Sequence, residues 1–191
     1  ISLKLRSIVG RSPMFAVEVV EHDMLEKMPK FKARMDWILK NKEELANLVS
    51  HWEVEGKGRK HLMSILRKNR LTKILNRMLD EKEFLSEFGI RSMSKTYEEK
   101  PFQLEINGIN HVVHYTPAES DSRMFGGNSN WRGPIWFPIN FLIVESLQRF
   151  HFYYDNSLKV ELPTGSGNFK NLDEISENLS RRLSNIFLNN D

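Results

Sequence analysis

Residues 119 to 140 concentrate the side chains best suited to hold a polar ligand: Glu119, Asp121, Arg123, Asn128, Asn130, Trp131, Arg132, Trp136 and Asn140. An indole covers the C–H side of a pyranose with its flat apolar face, while guanidinium, carboxamide and carboxylate groups meet the ring hydroxyls. The inventory reads as a sugar-contacting rim. The same residue types also fit a structural reading, in which Trp131 and Trp136 anchor a core and Arg132 pairs with a carboxylate. Loops rich in aromatic and polar groups are enriched in function without being reserved for it. Glu119 and Asp121 are the carboxylates nearest the tryptophans. To serve as general acid or base they need a paired geometry that nearness in sequence does not supply, so orienting Arg123 or Arg132 is the role their positions favour.

Other chemistry is thinner. His111 and His114 fall on opposite faces of a strand and cannot chelate jointly from a regular hairpin, so no metal site is expected. PTGSG at 163–167 is too short for a phosphate loop and lacks its lysine, and nothing else calls for a cofactor. The chain has no cysteine, which removes disulfides, thiolate metal sites and a cysteine nucleophile, and suits a reducing compartment, the cytoplasm. From Lys57 to Arg77 there are eight Lys/Arg and no acid. Such a stretch can bind nucleic acid or another anionic partner through phosphate contacts, but its apolar positions keep core spacing and weigh for a solvated helix face. A purely structural module is the third possibility.

The elements that must position these residues follow from periodicity. Leu25, Met28, Phe31, Met35, Ile38 and Leu39 recur at helical spacing, with Asp23 and Glu26 as a capping box and Pro29 as a kink or a true start. NKEELANLVSHW reads as a second helix, 57–77 as one or two basic amphipathic helices, and DEKEFLSEFG as a short helix stopped by Gly89. The period then changes. Phe102, Leu104 and Ile106 alternate with polar residues up to Asn107-Gly108, the strongest short hairpin signal, which pairs Ile106 with Ile109, Leu104 with His111 and Phe102 with Val113. That apolar face is expected to lie against a helical body.

Residues 135 to 154 read as a long helix with Trp136, Asn140, Ile143, Leu147, Phe150 and Tyr154 on one stripe. Phe137, Ile139, Phe141, Leu142 and Val144 make its first turns apolar all round, which predicts burial on every side and a partner for Asn140. VELPTGSGNFKN reads as a loop. Asn171 and Glu174 cap a last helix that buries Leu172, Ile175, Leu179, Leu183 and Ile186. The most apolar run, Ile135 to Val144, is far short of the roughly 20 residues of a membrane span, and no membrane partner is expected.

Two stretches carry a resemblance. GNSNWRGPIWFPINFL, residues 127–142, resembles the Trp-Arg-Gly-Pro-Ile/Val-Trp signature of the six-hairpin glycosidases, above all glycoside hydrolase family 63. FGIRSMSK, residues 88–95, is similar to the Gly-x-Arg/Pro-Ser-x-Ser stretch that precedes the signature there, and the likeness continues through ESLQRFHFYY and ELPTGSG. The resemblance implies a mainly α fold, a central-to-late fragment of an (α/α)6 toroid, with residues 1–191 as one domain and a small hairpin near 101–115. It implies an inverting glycosidase acting on α-linked gluco- or manno-configured sugars. Trp131, Arg132, Trp136 and Asn140 would line the substrate pocket, with Asn128 and Asn130 beside them. Asn130 stands where the family usually has an aromatic, and Pro138 where it often has an asparagine. The general acid and base would lie before Ile1 and after Asp191, so the expected partners are an oligosaccharide or glycoside substrate and the remainder of a parent polypeptide.

Overall fold

The computed structural model describes residues 4–48, 58–116 and 134–188. Ser7 caps a 3-10 turn, Ile8–Phe15, by accepting a hydrogen bond from the Val9 amide, and the turn buries Ile8, Arg11 and Met14. Strand β1, Val17–Glu21, leads into helices α1, His22–Glu26, and α2, Pro29–Asn41, followed by α3, Glu43–Leu48. Pro29 is the true start of α2, where its missing N–H costs nothing. The expected Asp23/Glu26 box does not form: Glu21 occupies the N-cap of α1 and makes no side-chain cap bond.

The basic stretch is where the helical reading fails first. Residues Lys60–Ser64 form β2, antiparallel to β1 in the register Val17↔Ser64 to Glu21↔Lys60. Only Lys68–Met78 is helical, as α4, burying Leu71, Leu75 and Met78 while Arg70, Lys73 and Arg77 face outward. DEKEFLSEFG is not a helix either. It turns into a minimal hairpin, β3, Leu85–Ser86, with β4, Gly89–Ile90, because Gly89 adopts φ +119°, a conformation L side chains rarely take.

The next hairpin matches its expectation in register. Strands β5, Phe102–Ile106, and β6, Ile109–Val113, pair Phe102 with Val113, Leu104 with His111 and Ile106 with Ile109. Asn107 and Gly108 supply the positive φ that the two-residue turn needs. Its docking differs from the expectation. Val113 and Phe102 pack with Met93, Tyr97, Leu5 and Tyr115 in a small separate cluster, whereas Ile109 at the tip is 61% exposed, so only the base of the hairpin is held.

Helix α5, Phe137–Tyr154, buries Asn140, Ile143, Leu147, Phe150 and Tyr154, the stripe read from sequence. Among the described residues it is not enclosed on every side: Phe137, Phe141 and Leu142 are 42%, 54% and 41% exposed. Strands β7, Lys159–Glu161, and β8, Phe169–Asn171, make a hairpin out of the stretch expected to be loop. Asn171 then caps α6, Leu172–Ser184, with a complete capping box: its side chain accepts from the Glu174 amide at 2.9 Å and Glu174 accepts from the Asn171 amide at 2.8 Å. Leu172, Ile175, Leu179 and Leu183 are buried, while Ile186 lies past the helix and is 42% exposed.

The main core joins α4, α5, α6, the 3-10 turn and the β3–β4 and β7–β8 hairpins. A second cluster holds Val20, Leu25 and Met35. The architecture is thus mixed, helices with small two-stranded antiparallel sheets, and carries more strand than the single hairpin of the mainly α arrangement expected. Among the described residues no helix is long and apolar enough to cross a membrane.

Candidate functional site

Trp136 and Asn140 are the residues of the expected site that fall within the described segments. Glu119, Asp121, Asn128, Asn130, Trp131 and Arg132 lie outside them. Trp136 is half-buried against the main core and provides the N-cap of α5, with Pro138 in the first turn. Asn140 sits one turn further and is 1% exposed.

The amide of Asn140 is spent on the protein. The Ile90 N–H donates to its Oδ1 at 2.7 Å, and its Nδ2 donates to the Ile90 carbonyl at 2.9 Å and to the Trp136 carbonyl at 3.1 Å. Both Nδ2 hydrogens are therefore used, and the carboxamide acts as a surrogate strand beside Ile90, which is itself fully buried. Among the described residues Asn140 thus serves to position Ile90 against the first turn of α5. Gly89 makes the approach possible. A Cβ there would lie 3.0 Å from Asn140 Oδ1 and 3.0 Å from Leu183 Cδ2.

This joint links the two stretches that resemblance singled out. Besides the Ile90–Asn140 pair, the Ser92 amide donates to the Pro134 carbonyl at 2.8 Å. The 88–95 stretch is in turn tied to the chain's beginning: the Ile8 amide donates to Ser92 O at 2.9 Å, and Ser94 N to Arg6 O at 3.1 Å. Arg91 donates through Nε to the Tyr115 hydroxyl at 3.1 Å, and through Nη1 to the carbonyls of Glu81, at 3.1 Å, and Leu85. The Tyr115 amide also donates to Tyr97 O at 3.2 Å. So Tyr115 and Pro134, on either side of the richest segment, are both held by residues 91–97. Neither Arg91 nor the main chain of Ile90 was flagged by sequence reasoning. Arg91 offered a motif position as its one signal, and the main chain of Ile90 offered none.

A further polar cluster surrounds Glu83, which is 8% exposed. It accepts from Arg6 Nη1 at 2.5 Å and from Ser94 Oγ at 2.5 Å, with Arg77 Nε at 3.7 Å. A carboxylate held by two donors and a second guanidinium is a structural anchor. Cations of the basic stretch are likewise engaged: Lys60 Nζ donates to Phe152 O at 3.1 Å and sits 3.5 Å from that ring's centroid, and Lys68 donates to Ser157 O at 3.0 Å. The stretch does not present one continuous basic face, since it is divided between β2 and α4. Among the described residues no group of three or more His, Asp or Glu is placed to hold a metal ion.

Comparison with known proteins agrees with the joined motifs. Over 189 residues the chain is 48% identical to an uncharacterized protein, YMR196W, of Saccharomyces cerevisiae, a match that covers 98% of the chain and 17% of the length of that protein. Residues 60–190 match the glycosyl hydrolase family 63 C-terminal domain, and this span contains the 88–95 stretch, the Trp-Arg-Gly-Pro stretch and the joint between them. By that match over more than half its residues, the chain belongs to the glycosyl hydrolase family 63 C-terminal domain family.

Proposed function

We propose that the chain supplies the sugar-contacting face of an inverting glycoside hydrolase that acts on α-linked gluco- or manno-configured sugars. Trp131 and Trp136 stack on the ring, Arg132, Asn128 and Asn130 bind its hydroxyls, and Glu119 or Asp121 orients the arginines. Asn140 contributes at one remove, by fixing the start of α5 on which Trp136 sits. Inversion needs a general acid and a general base about 6.5 to 9.5 Å apart, with water between the base and the anomeric carbon. In this reading both carboxylates come from parts of a longer polypeptide outside residues 1–191, and the whole closes into an (α/α)6 toroid. The cytoplasm is the compartment that a chain without cysteine suits.

The observation that carries the proposal is the hydrogen-bonded union of the 88–95 stretch with the start of α5 inside the family match. The test uses the full-length protein with α-glucosides and α-mannosides. Trp131→Ala and Arg132→Ala are each expected to lower kcat/KM by about 30-fold or more, the loss of roughly 2 kcal/mol of transition-state contact, with unchanged melting temperature. Proton NMR of the first-formed anomer reports inversion. Unaltered kinetics in both variants overturns the pocket assignment.

A further inference from the structure

An open cleft of about 610 Å³ lies between the 3-10 turn Ile8–Phe15 and α4, lined by Arg11, Lys73, Asn76, Arg77, Asp80 and Glu83. Its charge does not balance. Arg11, Lys73 and Arg77, with Arg6 bound to Glu83, bring four positive charges against the two of Asp80 and Glu83. Both acids are already engaged: Glu83 accepts from Arg6 and Ser94, and Asp80 Oδ1 accepts from the Lys82 amide at 2.8 Å.

Arg11 is the unusual member. It is 8% exposed, its guanidinium lies 4.3 Å from the centroid of the buried Phe84 ring, and its Nε and Nη2 have no acceptor among the described residues. Stacking on the ring satisfies the face of the guanidinium but leaves these edge donors unpaired. Burial, with Arg77 adding repulsion, pushes the Arg11 pKa down to about 10 against the opposing pull of Glu83, which leaves the group a cation at neutral pH. A buried cation with unmet donors is costly; any acceptor lowers that cost, and an anion, which also pairs the charge, lowers it most.

We propose that this cleft binds an anionic oxygen group, a phosphate or a carboxylate, with Arg11 as its buried anchor and Lys73 and Arg77 at its mouth. The anion has two sources, a small molecule in solution or a carboxylate side chain from elsewhere in a longer polypeptide. The site is independent of the sugar reading, because none of its residues lies in the 119–140 segment.

The experiment is calorimetric titration of the full-length protein with inorganic phosphate and, separately, acetate, at ionic strength held constant with sodium chloride. Melting temperatures are measured alongside for wild type, Arg11→Met and Arg11→Lys. A soluble ligand gives saturable binding that weakens at least about tenfold in Arg11→Met, and about fivefold in Lys73→Ala or Arg77→Ala, surface changes that test the site even if the Arg11 variants misfold. A built-in carboxylate gives no titration, but a melting temperature that falls in Arg11→Met and is retained in Arg11→Lys. Binding that is equal in wild type and all the variants overturns the proposal. So does the absence of binding together with an unchanged or raised melting temperature in Arg11→Met.

Discussion

Replacing Asn140 with alanine tests the joint between the two motif stretches directly. The substitution strips the Ile90 N–H and C=O of their partners at a position with 0% exposure, where water cannot replace them. Each orphaned buried group costs about 1–3 kcal/mol, so the pair costs about 4 kcal/mol in the middle of that range. The Trp136 carbonyl adds little, because it keeps the main-chain hydrogen bond from the Asn140 amide at 3.0 Å. Against a typical domain stability of about 5–15 kcal/mol the loss is large. Urea unfolding gives the total, and amide hydrogen exchange gives its location: protection at Ile90 is expected to fall about a thousandfold. Asn140→Asp sharpens the test. A carboxylate can still accept from the Ile90 amide, but it sets a second oxygen against two carbonyls. Its protonated form restores a donor, so the folded state raises the carboxyl pKa. The variant is therefore most stable in acid and loses stability as pH rises through that value. A loss below about 1 kcal/mol in Asn140→Ala with Ile90 protection intact refutes the reasoning.

Other outcomes follow from the same geometry. Gly89→Ala places a Cβ against Asn140 and Leu183 at a backbone φ of +119°, and a loss of at least about 2 kcal/mol in denaturant unfolding is expected, with the Asn140–Ile90 bonds opened. Glu174 is held below its usual 4.5 by the Lys170 hydrogen bond and then by the Asn171 amide. Its contribution to stability is whole above pH 4.5 and disappears as pH falls through the lowered folded value, so Glu174→Gln, which keeps an acceptor for the cap, is expected to flatten that acid limb in a pH series of melting temperatures.

The elements legible in the sequence were those whose information is local. Asn107-Gly108 set the β5–β6 register, the Asn171/Glu174 box marked the start of α6, and the stripe from Asn140 to Tyr154 identified the buried side of α5. What escaped was written at long range or in few residues. β2 pairs with β1 across the 38 positions that separate Glu21 from Lys60, and apolar residues at helical spacing within the basic stretch concealed its alternation. β3 and β4 are two residues each, too short for any period to register. The apolar first turns of α5 did not tell what covers Phe137, Phe141 and Leu142, because hydrophobicity around a helix names no partner. For the site, the sequence singled out Asn140 as a polar group in apolar surroundings. It could not name the partner, since a main-chain N–H and C=O fifty positions away leave no imprint on residue type.

The Asn140–Ile90 joint is written in side chain at one end and in main chain at the other, and mutation meets the two ends unequally. The amide grips Ile90 without reading which residue stands there, so position 90 is free to drift among side chains that fill the core while the bond persists. Position 140 has no such latitude: truncating the side chain removes the joint in a single step, and exchanging its amide for an acid makes the joint depend on pH. In lineages that keep the fold, then, inherited constraint should concentrate on Asn140 and on the glycine that admits it, and pass lightly over the residue to which the amide is bound.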